Sequence, residues 1–384
     1  MAEKIKLGNG NWGVKQGGTL AYNDENGVFK AIELASSRAS SATYVAESGI
    51  VADAEVGVPR IDWTNGVGGL LLEPQRRNLI PYSQDFTQTD WTSLSTATLT
   101  ANYGVAPDGS TSSVLVTNSS GGGSEQLAEV VTITSGETYT VSFWVKRVTG
   151  SGVVSIIGIE NIATPIAVTS EWQRFSVTAT ATTTSGRAYV RVDTSGDEVE
   201  VWGAQLEDNG VLGGGDYMTS YIRTNGSSVT RIADAVSGNS SLGQVINSSE
   251  GVLYAEMSAL ANDGTTRAIS LDNGSTSVGA IIRFRPTTNE FQFLLKDSVN
   301  PDVGNTLILS DATQTNKFAL KWKSGDITLW VNGVEELTAS GTMNISGLTD
   351  ISFSTFGTFY GKVKDLRVYD TALTDAELTT LTTL

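Results

Sequence analysis

From about residue 110 to 370 strand signals recur, short β-branched or aromatic runs separated by Gly-bearing turns, without a convincing sequence repeat. Ser113-Val114-Leu115-Val116-Thr117, Thr138-Tyr139-Thr140-Val141-Ser142-Phe143-Trp144-Val145, Val177-Thr178-Ala179-Thr180, Ala188-Tyr189-Val190-Arg191-Val192 and Val199-Glu200-Val201-Trp202 are such runs. Ser135-Gly136 and Ser185-Gly186 are such turns. Residues 140–143 alternate polar and apolar, as a strand with one wet face must. Strands this short and this regularly punctuated predict antiparallel sandwiches rather than βαβ units. Ser and Thr make up roughly a quarter of the chain and charged residues only 17%, a mixture poor for helices.

A second block follows from about residue 251 to 384. Its strands are expected at Val252–Glu256, Ala280–Phe284, Phe291–Leu295 and Phe318–Trp322. Asn332-Gly333 between Ile327–Val331 and Val334 is the strongest hairpin signal, because both turn positions tolerate positive φ. Thr374 and Glu377 form a capping-box pattern for one short helix near the end. Gly213-Gly214-Gly215 and residues 237–241 are expected to be loop and linker.

The first 75 or so residues differ. Asn9-Gly10, Gly17-Gly18, Asn26-Gly27 and Gly68-Gly69 break them into pieces too short for an independent core, so an extended or oligomer-dependent segment is expected. Within it the apolar run Leu70-Leu71-Leu72 either docks on the following domain or lies at a subunit interface.

Composition excludes much chemistry. The chain has no His and no Cys, which removes Ser-His-Asp and Cys-His triads, the usual zinc sites, disulfides and thiol nucleophiles. A net charge of −16 argues against nucleic acid and against anionic membrane surfaces. Residues 1–10 lack an apolar h-region, so no secretory signal is expected, and no stretch approaches a membrane span.

Three groups of residues carry a resemblance. The first runs through Arg38–Val45, Pro59-Arg60-Ile61-Asp62-Trp63 and Gly69–Ile80, which includes Glu73-Pro74-Gln75-Arg76-Arg77-Asn78. It resembles a segment of bacteriophage tail-fibre and head-fibre proteins. The second comprises Tyr82–Phe86, Trp91, Ala106-Pro107-Asp108-Gly109, Tyr139–Lys146, Trp172, Trp202–Glu207, Thr219–Thr224 and Val229–Asp234. It resembles a carbohydrate-binding-module-like jelly roll. The third, marked by Trp330-Val331-Asn332-Gly333 and Gly361–Asp370, resembles a laminin-G or concanavalin-A-like lectin domain.

The resemblance implies an all-β chain: an N-terminal attachment or oligomerisation segment (1–77), a jelly roll (78–236) and a lectin-like sandwich (237–384). It further implies a non-enzymatic bacteriophage surface fibre, a homotrimer held to a capsid or tail protein through its N-terminal segment. Such a fibre is made in the host cytoplasm, ends on the virion surface and adheres reversibly to cell-surface or mucus glycans. The acidic balance suits neutral sugars better than polyanionic ones. A purely structural capsid decoration or spacer, and a virion polysaccharide-degrading enzyme, are the alternatives.

Among individual residues, Trp202 and Trp144 are expected beneath the sheet. Trp91, Tyr217 and Tyr221 are the candidates for stacking on a sugar ring, each with a core or interface role as the competing reading. Asp193, Asp197, Glu198, Glu207 and Asp208 are carboxylates of the kind a glycosidase pairs, though as sequence neighbours they are more simply solvated turn residues. No cofactor is expected; Asp297, Asp302 and Asp311 offer oxygen ligands for calcium without an EF-hand spacing. The sequons at Asn118 and Asn247 are expected to be chance matches.

Overall fold

The computed structural model describes residues 3–8, 13–15, 19–23, 29–89, 91–94, 97–119, 124–127, 131–208, 216–238, 240–339, 341, 343 and 345–384. Asn9-Gly10, Gly17-Gly18, Asn26-Gly27 and Gly213–Gly215 lie outside them. Nearly every regular element is a β-strand, paired antiparallel, as the alternating runs predict. Among the described residues the α-helix is Asp375–Thr382, and no helix is long and apolar enough to cross a membrane. That helix begins with the expected capping box, Thr374 and Glu377 each receiving the other's backbone N–H.

The jelly roll packs two sheets face to face. One carries Ala97–Thr100, Val114–Asn118, Glu198–Asp208, Thr138–Thr149 and Gln173–Thr180 in that order; the other carries Thr92–Leu94, Ser124–Leu127, Tyr189–Val192, Val154–Ile157 and Ala163–Ile166. Alternation fills the space between them: Val141, Phe143 and Val145 from one sheet meet Ile156, Val190 and Val192 from the other. Ser142 and Trp144 therefore point to the outer face.

The second sandwich has a five-stranded sheet from Arg267–Asp272 to Val303–Ile308, with Asp350–Ser352 on its edge. Opposite it, Glu250–Ala259 lies at the centre of a larger sheet, beside Asn316–Lys323, Ile327–Val331 and Val334–Ala339. Asn332 (φ 50°) and Gly333 (φ 90°) make the expected tight turn.

The larger sheet is completed by residues from the start of the chain. The strand Gly361–Tyr369 pairs on one side with Glu250–Ala259. On its other side stand two short strands in tandem, Gly69–Leu72 against Gly361–Val363 and Glu3–Gly8 against Asp365–Tyr369. Ile5, Leu7, Leu70 and Leu72 enter the same apolar core as Leu253, Leu366 and Val368. Leu70–Leu72 thus occupies neither of the two places expected of it: its partner is the lectin-like sandwich of its own chain. Gly8 shows how close the approach is, since a Cβ there would lie 2.1 Å from the Lys364 carbonyl oxygen.

Candidate functional site

The residues that carry the N-terminal resemblance meet in a buried ionic lattice. Asp234 accepts from Arg38 (2.9 Å), from Arg60 and from the Glu73 backbone N–H (2.9 Å). Glu73 is ion-paired to Arg60 (2.7 Å) and to Arg231, and accepts from the Ser220 N–H (2.7 Å) and hydroxyl (2.6 Å). Burial alone would raise the Glu73 carboxyl, but Arg231 and Arg60, helped by Ser220, hold it well below the ordinary carboxylate range. Asn78, fully buried, donates to the Ala204 and Ile222 carbonyls and accepts from the Ile80 and Leu206 N–H groups. Arg38, Arg60 and Glu73 thereby tie the N-terminal segment to Ser220, Arg231 and Asp234, which close the jelly roll.

Above this lattice opens a cavity of about 550 Å³. Its floor is the outer face of the jelly-roll sheet. Strand register sets Trp144 between Arg174 on one neighbour and Trp202 on the other. Arg174 lies over the Trp144 ring, 4.3 Å from its centroid, and donates to the Thr219 carbonyl (2.7 Å) and the Ser142 hydroxyl (3.0 Å). Trp172, partly exposed, is steadied by its Nε1–H on the Val105 carbonyl (3.0 Å) and by Lys146 Nζ, 5.0 Å from its ring centroid. Tyr44 and Val45 of the N-terminal segment, and Leu260 and Lys362 of the second sandwich, form the other walls. All three parts of the chain line the cavity. Burial brings the Arg174 guanidinium down to about 10, against the opposing pull of Glu207 and Glu73, so it stays charged at neutral pH.

The sequence-derived candidates fall differently. Trp91 is 6% exposed and belongs to the jelly-roll core, packed on Phe86 (4.4 Å) and Phe143 (6.4 Å) with its Nε1–H on the Tyr82 carbonyl. Tyr221 does line the cavity but is only 1% exposed; it packs edge-on to Trp144 and donates its hydroxyl to Ser83, so its ring faces are taken. Tyr217 is partly buried beneath the Arg76 guanidinium, its hydroxyl enclosed. Neither Trp91 nor Tyr221 offers a free face for stacking. Trp202 is fully buried, but on the outer face beside its cross-strand partner Trp144, in a cluster with Val51, Ala106 and Tyr221 and not between the two sheets. Trp144 is not beneath the sheet: it stands on the outer face, and the alternation Val141, Phe143, Val145 signals this because it puts Trp144 on the opposite side. Trp172, a marker of the resemblance only, and Tyr44 supply the remaining aromatic surface.

The carboxylates considered for catalysis are engaged locally. Asp193 pairs with Arg191, Asp197 with Arg147, Asp208 with Arg77, Glu198 accepts from Thr117, and Glu207 from Thr219. Asp297 and Asp311 cap their own turns and Asp302 pairs with Lys296 (3.2 Å). Among the described residues no cluster of three or more Asp, Glu, His or Cys could hold a metal ion. The amide of Asn118 donates to the Val192 carbonyl and that of Asn247 to the Asp370 carbonyl, so both sequon asparagines serve the fold; Ser120 of the first lies outside the described residues.

Residues 80–198 match the family model described as a carbohydrate binding domain, and residues 240–379 match that of the concanavalin A-like lectin/glucanases superfamily. The chain thus carries a carbohydrate-binding-module jelly roll and a concanavalin-A-like laminin G domain. No curated protein matches. Among solved structures, the chain is similar to the Ruminococcus gnavus IT-sialidase CBM40 bound to alpha2,3 sialyllactose, with 15% identity and a TM-score of 0.33 over 38% of this chain and 92% of that one. The SAP-like pentraxin from Limulus polyphemus shares 14% identity at a TM-score of 0.29 over 34% and 69% of the two chains. The binding domain of Paraclostridial Mosquitocidal Protein 1 shares 18% at 0.31 over 38% and 40%.

Proposed function

We propose that this chain is a non-enzymatic bacteriophage surface fibre whose jelly roll binds a glycan in the Trp144–Trp172 cavity. The observation that carries the reading is the cavity itself. It is large enough for a sugar residue or two, walled by Trp144, Trp172 and Tyr44, and edged by polar side chains. An aromatic face packs on the apolar C–H face of a sugar ring while polar groups at the rim fix its orientation. The match of residues 80–198 to a carbohydrate binding domain supports the same reading.

Adhesion rather than hydrolysis is favoured by the state of the two lining carboxylates. Asp62 is held by Lys362, and Glu73 by Arg60 and Arg231. A general acid needs a proton to give, and a nucleophile needs a free lone pair. Assembly as a homotrimer, attached to capsid or tail through the N-terminal segment, multiplies a weak contact into useful avidity.

The test has two arms. Gold-labelled antibody against residues 237–384 on intact particles locates the protein: label on head or tail supports a fibre, and bare particles overturn it. Full-length chain on a glycan array, with Trp172→Ala as control, tests the cavity: binding that the substitution abolishes supports it, and binding that survives unchanged places the ligand elsewhere.

A further inference from the structure

We infer that the Trp144–Trp172 cavity selects a saccharide unit bearing a carboxylate, a uronic acid or another sugar acid, seated with its anionic oxygens toward Arg174. The inference rests on the glycan reading above and adds the charge of the ligand.

Its basis is which polar groups in the cavity still have bonding capacity. Asp62 accepts from the Val45 N–H (2.8 Å), the Thr64 N–H (3.1 Å) and Lys362 Nζ. Glu73 accepts from the Ser220 N–H and hydroxyl and from Arg231, and is ion-paired to Arg60. A carboxylate has about four lone-pair positions, so Glu73 and Asp62, with three donors each, are both nearly saturated. Each has little capacity left for the proton of a sugar hydroxyl.

The donors are less committed. Arg174 carries five N–H bonds in a planar fork, and only neutral acceptors, Thr219 and Ser142, meet it. Its Nε is enclosed and has no partner, its two terminal nitrogens each keep one uncommitted N–H, and among the described residues no carboxylate oxygen lies within the 4.0 Å of an ion pair. Stacking on Trp144 fixes the plane of the fork, which is the geometry a carboxylate matches. Lys362 adds a second cation whose side chain is 18% exposed, and Gln173 and Asn65 stand exposed at the rim. A neutral sugar brings hydroxyl protons that need acceptors, and here those are amide and hydroxyl oxygens, such as the amides of Gln173 and Asn65 at the rim, with no carboxylate left free for them. A carboxylate brings acceptors only. The net charge of −16 that favours neutral sugars is spread over the whole molecule and screened beyond about 10 Å, whereas Arg174 acts at contact.

The test uses the full chain on an array in which each acidic oligosaccharide is printed beside its carboxyl-reduced partner, followed by titration of the best pair. Expected is a preference of about tenfold or more for the carboxylate form, weakening with added salt. Arg174→Gln should erase that preference and Arg174→Lys should restore part of it, each variant first checked for an unchanged melting curve. Because Arg174 is half-buried against Trp144 and Gln could unfold the chain, the intact-against-reduced comparison on the unaltered protein stands without any variant. Equal or stronger binding of the reduced partners overturns the inference and leaves the glycan reading intact. A preference that survives Arg174→Gln overturns the assignment to Arg174. No binding to any glycan removes the reading on which the inference rests.

Discussion

Replacing Glu73 by Gln takes one charge from a place where Arg60 and Arg231 both depend on it, and leaves two buried guanidiniums facing a neutral amide. The expected cost is about 3–5 kcal/mol, read from the denaturant midpoint at pH 7. The same pairing sets a pH dependence. The folded Glu73 binds its proton less readily than the unfolded one, so its stabilisation is complete above the ordinary value of 4.5 and is lost as pH falls below it. Asp350 works in the opposite sense. Burial first, and then Asp272 directly across the strand pair, push its carboxyl up to about 6 from an ordinary 3.8. Between those values the unfolded chain releases this proton and the folded chain keeps it, so stability falls as pH rises through that window. Asp350→Asn should raise the melting temperature at about pH 8 and leave it nearly unchanged at about pH 3. At this scale the sequence was readable only in part. Burial of Trp202 followed from its strand, but that it and Trp144 share the outer face needed the alternation to be followed, and Trp202 and Tyr221 needed to be seen under the segments around Val51 and Ala106 that cover them. Those segments lie elsewhere in the chain, where local pattern has no reach.

The strand Gly361–Tyr369 makes the same point for elements. Its alternation and its antiparallel partner Glu250–Ala259 belong to the recognisable lectin-like block, and so does the Asn332-Gly333 turn. Gly333→Ala should cost about 1–2 kcal/mol in equilibrium unfolding, because φ there is 90° and the new Cβ would stand 3.1 Å from the Thr383 hydroxyl. Leu70 is the less obvious element. The run of three leucines announced that it needed a partner, and pairing energies carry no record of which strand, hundreds of residues on, supplies one. Leu70→Ala should cost about 2–5 kcal/mol. Hydrogen exchange should show the loss at Val363 and its neighbours in the second sandwich, and not in the jelly roll.

For the whole molecule, strand pairing runs across the domain limits expected from sequence. Residues 237–384 by themselves lack both Glu3–Gly8 and Gly69–Leu72, so one edge of Gly361–Tyr369 and the apolar side chains under it would face water. That fragment should aggregate or melt well below the full chain; light scattering and a thermal scan on the two proteins side by side would decide. Attachment through the N-terminal segment is accordingly better probed by point substitutions than by deleting its first residues, since deletion strips the sheet as well. Glu3, which pairs with Tyr369, also imposes an order of events on the ribosome. The opening strand emerges early and waits, unpaired, while both sandwiches are translated, and only then finds its neighbour. Sealing that edge is therefore a late step, after translation of residue 369, and a product cut short by premature termination carries an unsealed sheet that proteases can recognise.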